Sequence, residues 1–148
     1  MSKKTDVLIV GTGCSGLYCA LKLPGNLNIH MITKSCIDES DSFLAQGICM
    51  FKDESDYHAF FKDTLRAGHY ENNPLSVELM IRSSRAVLDD LLSYGTDFAR
   101  DEEGNLKYTR EGAHSTNRIL YHEDITGKEI TSKLLAQIKT RKNIQIME

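Results

Sequence analysis

No apolar run in these 148 residues approaches the ~20 needed for a helix to cross a bilayer. The opening Met-Ser-Lys-Lys-Thr-Asp leads into an apolar run of only Val7 to Val10. That run is too short for a signal-peptide core, and no small-residue cleavage site follows it, so the cytoplasm is the default location. The four cysteines (Cys14, Cys19, Cys36 and Cys49) form no CxxC pair and have no histidine at zinc-ligand spacing. Free thiols in a reducing compartment are expected, and no metal site. The net charge is −3 with a pI near 6.0, and the lysines and arginines are dispersed, so there is no basic field for nucleic acid or an anionic membrane. Repeats, low-complexity tracts and linkers are absent too. With 41% hydrophobic and 26% charged residues, the chain reads as one ordinary globular domain or part of one.

What is present is organised around Asp6 to Gly16. Val7 to Val10 reads as a fully buried parallel strand, and it runs directly into Gly11-x-Gly13-x-x-Gly16. This is the spacing of a dinucleotide-binding turn. Gly11 permits the tight strand-to-helix turn, Gly13 has no Cβ to hold a pyrophosphate away, and Gly16 lets the helix lie close on the strand. The helix then aims its N-terminal N–H groups and dipole at the phosphates. Leu17, Ala20 and Leu21 recur at helical spacing, Pro24-Gly25 ends the helix, and Asn28 to Thr33 reads as a second parallel strand. Cys14, at the helix N-terminus, is where a thiol pKa can fall, although a small residue that simply fits is the plainer reading.

The acid that usually binds a ribose hydroxyl some 20 residues after the glycines is missing. The strand ends instead in Thr33-Lys34-Ser35, with Asp38, Glu39 and Asp41 beyond it. This argues against a plain NAD site and leaves a flavin nucleotide open. Lys34 either meets an adenosine or phosphate oxygen or is a solvated loop lysine.

Residues 35–52 read as a loop packed through small residues. Asp53 to Gly68 carries Phe60, Phe61 and Leu65 at helical spacing. Asn73-Pro74 opens a longer helix with apolar Val77, Met80, Ile81, Val87, Leu88, Leu91 and Leu92, stopped by Gly95. Met80 and Ile81 are expected in the core. Thr96 to Ala99 and Leu106 to Thr109 predict a short hairpin around Asp101–Asn105. Thr126 and Glu129 predict a capping box ahead of Ile130, Leu134 and Ile138, and Asn143 to Met147 a third strand. The predicted fold is α/β: a Rossmann-like βαβ unit (5–34), a loop (35–52), a helical and hairpin insertion (53–124), and a last helix and strand (125–148). Three parallel strands make an incomplete sheet, so the chain reads as the N-terminal part of a larger domain.

Assembled, these pieces resemble the L-aspartate oxidases, a family within the flavoprotein superfamily of succinate dehydrogenase and fumarate reductase. The resemblance is carried by Gly11-Thr12-Gly13-Cys14-Ser15-Gly16, Thr33-Lys34, the Ser42–Gly47 loop, and Asp63-Thr64-Leu65-x-Ala67-Gly68. Thr109-Arg110-Glu111-Gly112-Ala113-His114-Ser115 is its most discriminating motif, and Arg118-Ile119-Leu120 and Asp124-x-Thr126-Gly127-Lys128-Glu129 continue it. It implies FAD as cofactor, held by Gly11, Thr12, Gly13, Cys14, Ser15, Gly16, Lys34, Asp41, Ser42, Phe43, Leu44, Ala45, Gln46 and Gly47. It also implies oxidation of L-aspartate to iminoaspartate in the first step of quinolinate and NAD biosynthesis. Oxygen or fumarate would be the electron acceptor, with handover to quinolinate synthase. Glu111 then orients the substrate amine, and the principal catalytic residues lie beyond residue 148. An ammonium near the reacting carbon calls for a carboxylate, whereas succinate brings no cation there. Read without the resemblance, Glu111 is a surface ion-pair partner of Arg110 or a neighbour, and His114 is structural. Two alternatives stay open: a flavoprotein of fumarate reductase or succinate dehydrogenase type, and a non-catalytic fragment with at most weak FAD binding.

Overall fold

The computed structural model describes residues 4–37 and 39–148, so Asp38 lies outside the described residues. The chain folds as two units. The first comprises the N-terminal residues through Ala45 together with Tyr94–Thr96 and Ile125–Glu148; the second comprises Gln46–Ser93 and Asp97–Asp124.

In the first unit, β1 (Val7–Val10), β2 (Ile29–Ile32) and β5 (Ile144–Met147) form a parallel sheet in the order β1-β2-β5. Val7 pairs with Ile29, and Ile29 with Ile144. Helix α1 (Cys14–Lys22) buries Leu17, Ala20 and Leu21 and ends ahead of Pro24. Helix α4 (Thr126–Thr140) packs on α1 and buries Ile130, Leu134, Leu135 and Ile138. Met31 completes this core. The βαβ unit and the third parallel strand are as expected. Burial of β1 is not: Leu8 is 57% and Val10 77% exposed, because they share the face of the strand that nothing covers among the described residues. The start of α4 lies one residue earlier than expected. The cap position is Ile125, and Thr126 is already helical and buried.

The second unit is built on α2 (Glu54–Ala67) and α3 (Pro74–Ser93). Asp53 caps α2 by accepting the Ser55 N–H at 2.9 Å. Asn73 caps α3 by accepting the N–H groups of Leu75 and Ser76 at 3.0 and 3.2 Å, with Pro74 at the first helical position. Phe60 meets Val77 and Ile81 between the helices, flanked by Tyr57, Phe61 and Leu65. Burial of each such side chain contributes roughly 1.5–3 kcal/mol. Ile81 is core as expected, but Met80 is 46% exposed, at the edge of the Val77–Ile81–Leu88 stripe of α3. Two short antiparallel strands, β3 (Ile48–Cys49) and β4 (Ile119–Leu120), pair Ile48 with Leu120. The expected hairpin reduces to an isolated bridge between Arg100 and Leu106 around a turn in which Asp101 accepts the N–H groups of Glu103 and Asn105. Its edges are shared instead with Tyr121, whose carbonyl accepts the Ala99 N–H at 2.8 Å. No helix among the described residues is long and apolar enough to cross a membrane.

Candidate functional site

The glycine turn in the first unit has the geometry its spacing demands. Gly11 adopts φ +107° and donates its N–H to Ile32 O at 2.8 Å, tying the end of β1 to the end of β2. A Cβ at Gly16 would lie 2.4 Å from Gly11 O, so only glycine lets α1 sit this close to the strand. Gly13 is the cap of α1 and offers no side-chain acceptor, and no acid occupies the first turn. The Cys14 N–H is met by Ser42 Oγ at 3.1 Å, and a Cβ on Gly13 would come within 3.0 Å of that same oxygen. The space left by Gly13 therefore already brings the 41–44 segment against the turn. The Cys14 thiol contacts Thr131 Oγ1 at 3.3 Å, which makes it a packing partner of α4.

Above this turn lies a cavity of about 510 Å³, lined by Gly11, Thr12 and Gly13, by Lys34 after β2, and by Glu39, Ser40, Asp41 and Ser42. The last two belong to a 3₁₀ turn, Asp41–Leu44. Its position is set from behind: Gly127, in the first turn of α4, donates its N–H to Ala45 O at 2.7 Å. A Cβ at Gly127 would lie 2.0 Å from Ser42 O. The Ser40 hydroxyl is buried at the cavity wall with no hydrogen-bond partner among the described residues. An orphaned hydroxyl, a lysine and a helix N-terminus around one cavity at the carboxyl ends of parallel strands suit a nucleotide with its phosphates. These residues fit the adenosine diphosphate part of FAD. Of the expected cofactor contacts, Gly11, Thr12, Gly13, Lys34, Asp41 and Ser42 line this cavity. Leu44 is 80% exposed, and Phe43 and Ala45 are not on the cavity wall.

Gln46 and Gly47 fall in the second unit, where Gln46 lines a different cavity, of about 480 Å³, with Thr109, Glu111, Tyr121, Glu123 and Asp124. Three carboxylates and no lysine or arginine line it among the described residues. Gly47 is pressed against β4. A Cβ would lie 2.4 Å from Ile119 Cγ2, and 3.8 Å from Glu111 Oε1, so the carboxylate stands beside a glycine backbone.

Glu111 rides on a segment closed at its base by the Thr109–Ile119 bridge. Below it, Arg118 is fully buried and grips Asp56 through Nε (3.0 Å) and Nη2 (2.8 Å), and Asp63 through Nη1 (2.8 Å). Burial alone would raise the Asp63 pKa, but hydrogen bonds from Ser115 and Arg118 outweigh it and hold the carboxyl down at about 2. Asp56 behaves likewise: burial pushes its pKa up, while Arg118 and Thr116 bring it below the ordinary carboxylate value. His114 receives Arg118 Nη1 on Nδ1 at 3.0 Å; burial and the neighbouring guanidinium lower its pKa and favour neutral imidazole. Sequence reading missed Asp56 as part of this site. Its signal is two acids seven residues apart on the face of α2 that also carries buried Phe60.

Fold and cavity together define a nucleotide-binding α/β domain of the flavoprotein type. The FAD binding domain family model matches residues 6–148, and the chain belongs to that family, whose cofactor is FAD. Within it the chain is related to L-aspartate oxidases, in the superfamily of succinate dehydrogenase and fumarate reductase flavoproteins. It is 46% identical to the L-aspartate oxidase of Clostridium perfringens over an alignment of 149 residues, covering 100% of this chain and 34% of that protein. It is 37% identical to that of Acinetobacter baylyi, covering 97% and 27%. The chain thus spans about a third or less of the relatives it matches. Among solved structures, an E. coli quinol fumarate reductase flavoprotein superposes with a TM-score of 0.89 at 23% identity, covering 96% of this chain and 25% of that one. Mycobacterium smegmatis Sdh1 superposes with a TM-score of 0.83 at 26% identity, covering 96% and 27%.

Proposed function

We propose that this chain forms part of an FAD-dependent L-aspartate oxidase that converts L-aspartate to iminoaspartate. The observation that carries the reading is Glu111, on the wall of a cavity lined by three carboxylates and no cation. Such a lining gives the ammonium group of aspartate a counter-charge, one that a dicarboxylate without a cation cannot use. Glu111 would pair with the substrate amine and so fix which face of the α-carbon is presented. FAD, when bound, supplies the acceptor for the hydride leaving that carbon, and the amine gives up a proton.

The cofactor would be held at its phosphates by the Gly11–Gly16 turn, including Cys14 and Ser15, with Lys34 toward the adenosine side. Asp41, Ser42, Phe43, Leu44 and Ala45 would follow its length. Gln46 and Gly47 remain proposed contacts on the strength of the likeness to L-aspartate oxidases. The same likeness supports oxygen or fumarate as the electron acceptor and passage of the product to quinolinate synthase.

The test is a substrate comparison on the full-length protein. Aspartate-dependent hydrogen peroxide release, without succinate-dependent dye reduction, is the expected result. The reverse pattern would assign the protein to the fumarate reductase and succinate dehydrogenase type.

A further inference from the structure

Arg110, Glu111, Gly112 and Ala113 are all exposed, so packing cannot fix the direction of the Glu111 side chain. Ordering an exposed loop costs roughly 1–2 kcal/mol per residue in backbone entropy. Hydrogen bonds must therefore do the fixing, and they converge on one buried group. The Glu111 carbonyl accepts the His114 N–H at 3.1 Å, closing a turn in which Gly112 takes φ +46°. The His114 ring then accepts Arg118 Nη1. Ala113 O is held by Arg66 Nη2 at 2.8 Å, and Thr116 Oγ1 donates to Asp56 at 2.7 Å.

Charge balance gives a second indication. Asp56 alone neutralises Arg118, and burying a further anion is unfavourable unless its lone pairs are filled. Asp63 is that further anion, and its second cation, Arg66 with Nη2 at 3.2 Å, is the same side chain that holds Ala113 O. Besides Arg118 it takes both the backbone N–H and the hydroxyl of Ser115, so its place in the cluster is explained by holding the loop.

We propose that Arg118 is a positioning residue for Glu111: locked by Asp56 and Asp63, its guanidinium fixes His114 and, through the 111–114 turn, the carboxylate lining the acidic cavity. This rests on the reading of Glu111 as the group that meets the substrate amine. Since Nδ1 is the acceptor, neutral His114 carries its proton on Nε2. A side chain with an acceptor at that point can replace it, whereas an apolar one cannot.

The experiment compares His114→Asn, which keeps an acceptor at the δ position, with His114→Leu, which removes it, and with Arg118→Lys, all in the full-length protein loaded with FAD. His114→Leu should raise the aspartate KM about tenfold, the size expected for losing one charge-assisted hydrogen bond. Fumarate reduction should fall far less, and His114→Asn should recover most of the loss. Amide hydrogen exchange should quicken at 111–114 in His114→Leu, with the Thr109–Ile119 pair unchanged. Equal losses with both substrates, no recovery by asparagine, or unchanged exchange at 111–114 would each overturn the proposal. If Arg118→Lys fails to fold, the two His114 variants decide. A wild-type protein that oxidises no aspartate defeats the amine reading instead, and the exchange comparison then tests the anchoring by itself.

Discussion

Asp63 holds Ser115 twice across 52 residues of sequence, accepting its backbone N–H at 2.7 Å and its hydroxyl at 2.6 Å on a single carboxylate oxygen. This pair joins the last turns of α2 to the segment that carries Glu111. It makes the ionisation of a buried acid a condition for the shape of an exposed loop.

Acid should therefore loosen the second unit in two stages. Burial and the Arg118 charge hold the His114 pKa below 6.5, so the unfolded chain takes up that proton first and stability declines as pH falls below 6.5. Asp63 ionises at about 2 when folded, against 3.8 ordinarily. Its contribution is complete above 3.8 and is lost as pH falls from there toward 2, about 2 kcal/mol in all. Urea unfolding followed against pH should show both stages, and Asp63→Asn should flatten the more acid one. An unaltered acid limb in that variant would contradict the assignment.

Arg118→Met should cost about 3–5 kcal/mol, because it leaves Asp56 buried without its cation and Asp63 with only the largely exposed Arg66. The full-length protein's unfolding midpoint in denaturant checks this. A loss below about 1 kcal/mol, the scale of an exposed ion pair, would mean that water reaches the cluster.

The βαβ unit was legible in the sequence because its glycines answer backbone demands that are local: the φ of Gly11 and the close approach at Gly16. Helix α2 was legible through Phe60, Phe61 and Leu65 at helical spacing, and α3 through its cap Asn73 and Pro74. Leu8 and Val10 were misjudged because an apolar run records hydrophobicity and not which neighbours cover it. Met80 was misjudged because a stripe of one face admits residues at its edge. Strands β3 and β4, two residues each, are shorter than any periodicity can register. The Arg118 cluster was hidden for another reason: charged residues more than fifty positions apart carry no common pattern until the chain folds.

Gly127→Ala offers a test with an unusual sign. In most helices this change stabilises by up to about 1 kcal/mol. Here the new Cβ would stand 2.0 Å from Ser42 O, so it should push the 3₁₀ turn off α4, weakening FAD binding about tenfold or more and lowering the melting temperature. Gly13→Val should weaken FAD binding as well, through collision with Ser42 Oγ and any phosphate beside it. Fluorescence titration of the apoprotein with FAD reads both. Unchanged affinity in Gly13→Val would remove the turn from the cofactor site.

Glu111→Gln should raise the aspartate KM roughly 30-fold, about 2 kcal/mol for loss of a charged partner to an ammonium, while fumarate reduction changes little. Steady-state kinetics with each substrate on the same preparation provides the comparison. Equal losses would leave Glu111 with no part in recognising the amine.

The most direct test of the proposed function is anaerobic bleaching of the flavin absorbance in the full-length holoprotein on mixing with a single substrate. The account predicts bleaching by L-aspartate and none by succinate. Bleaching by succinate with no response to L-aspartate would contradict it.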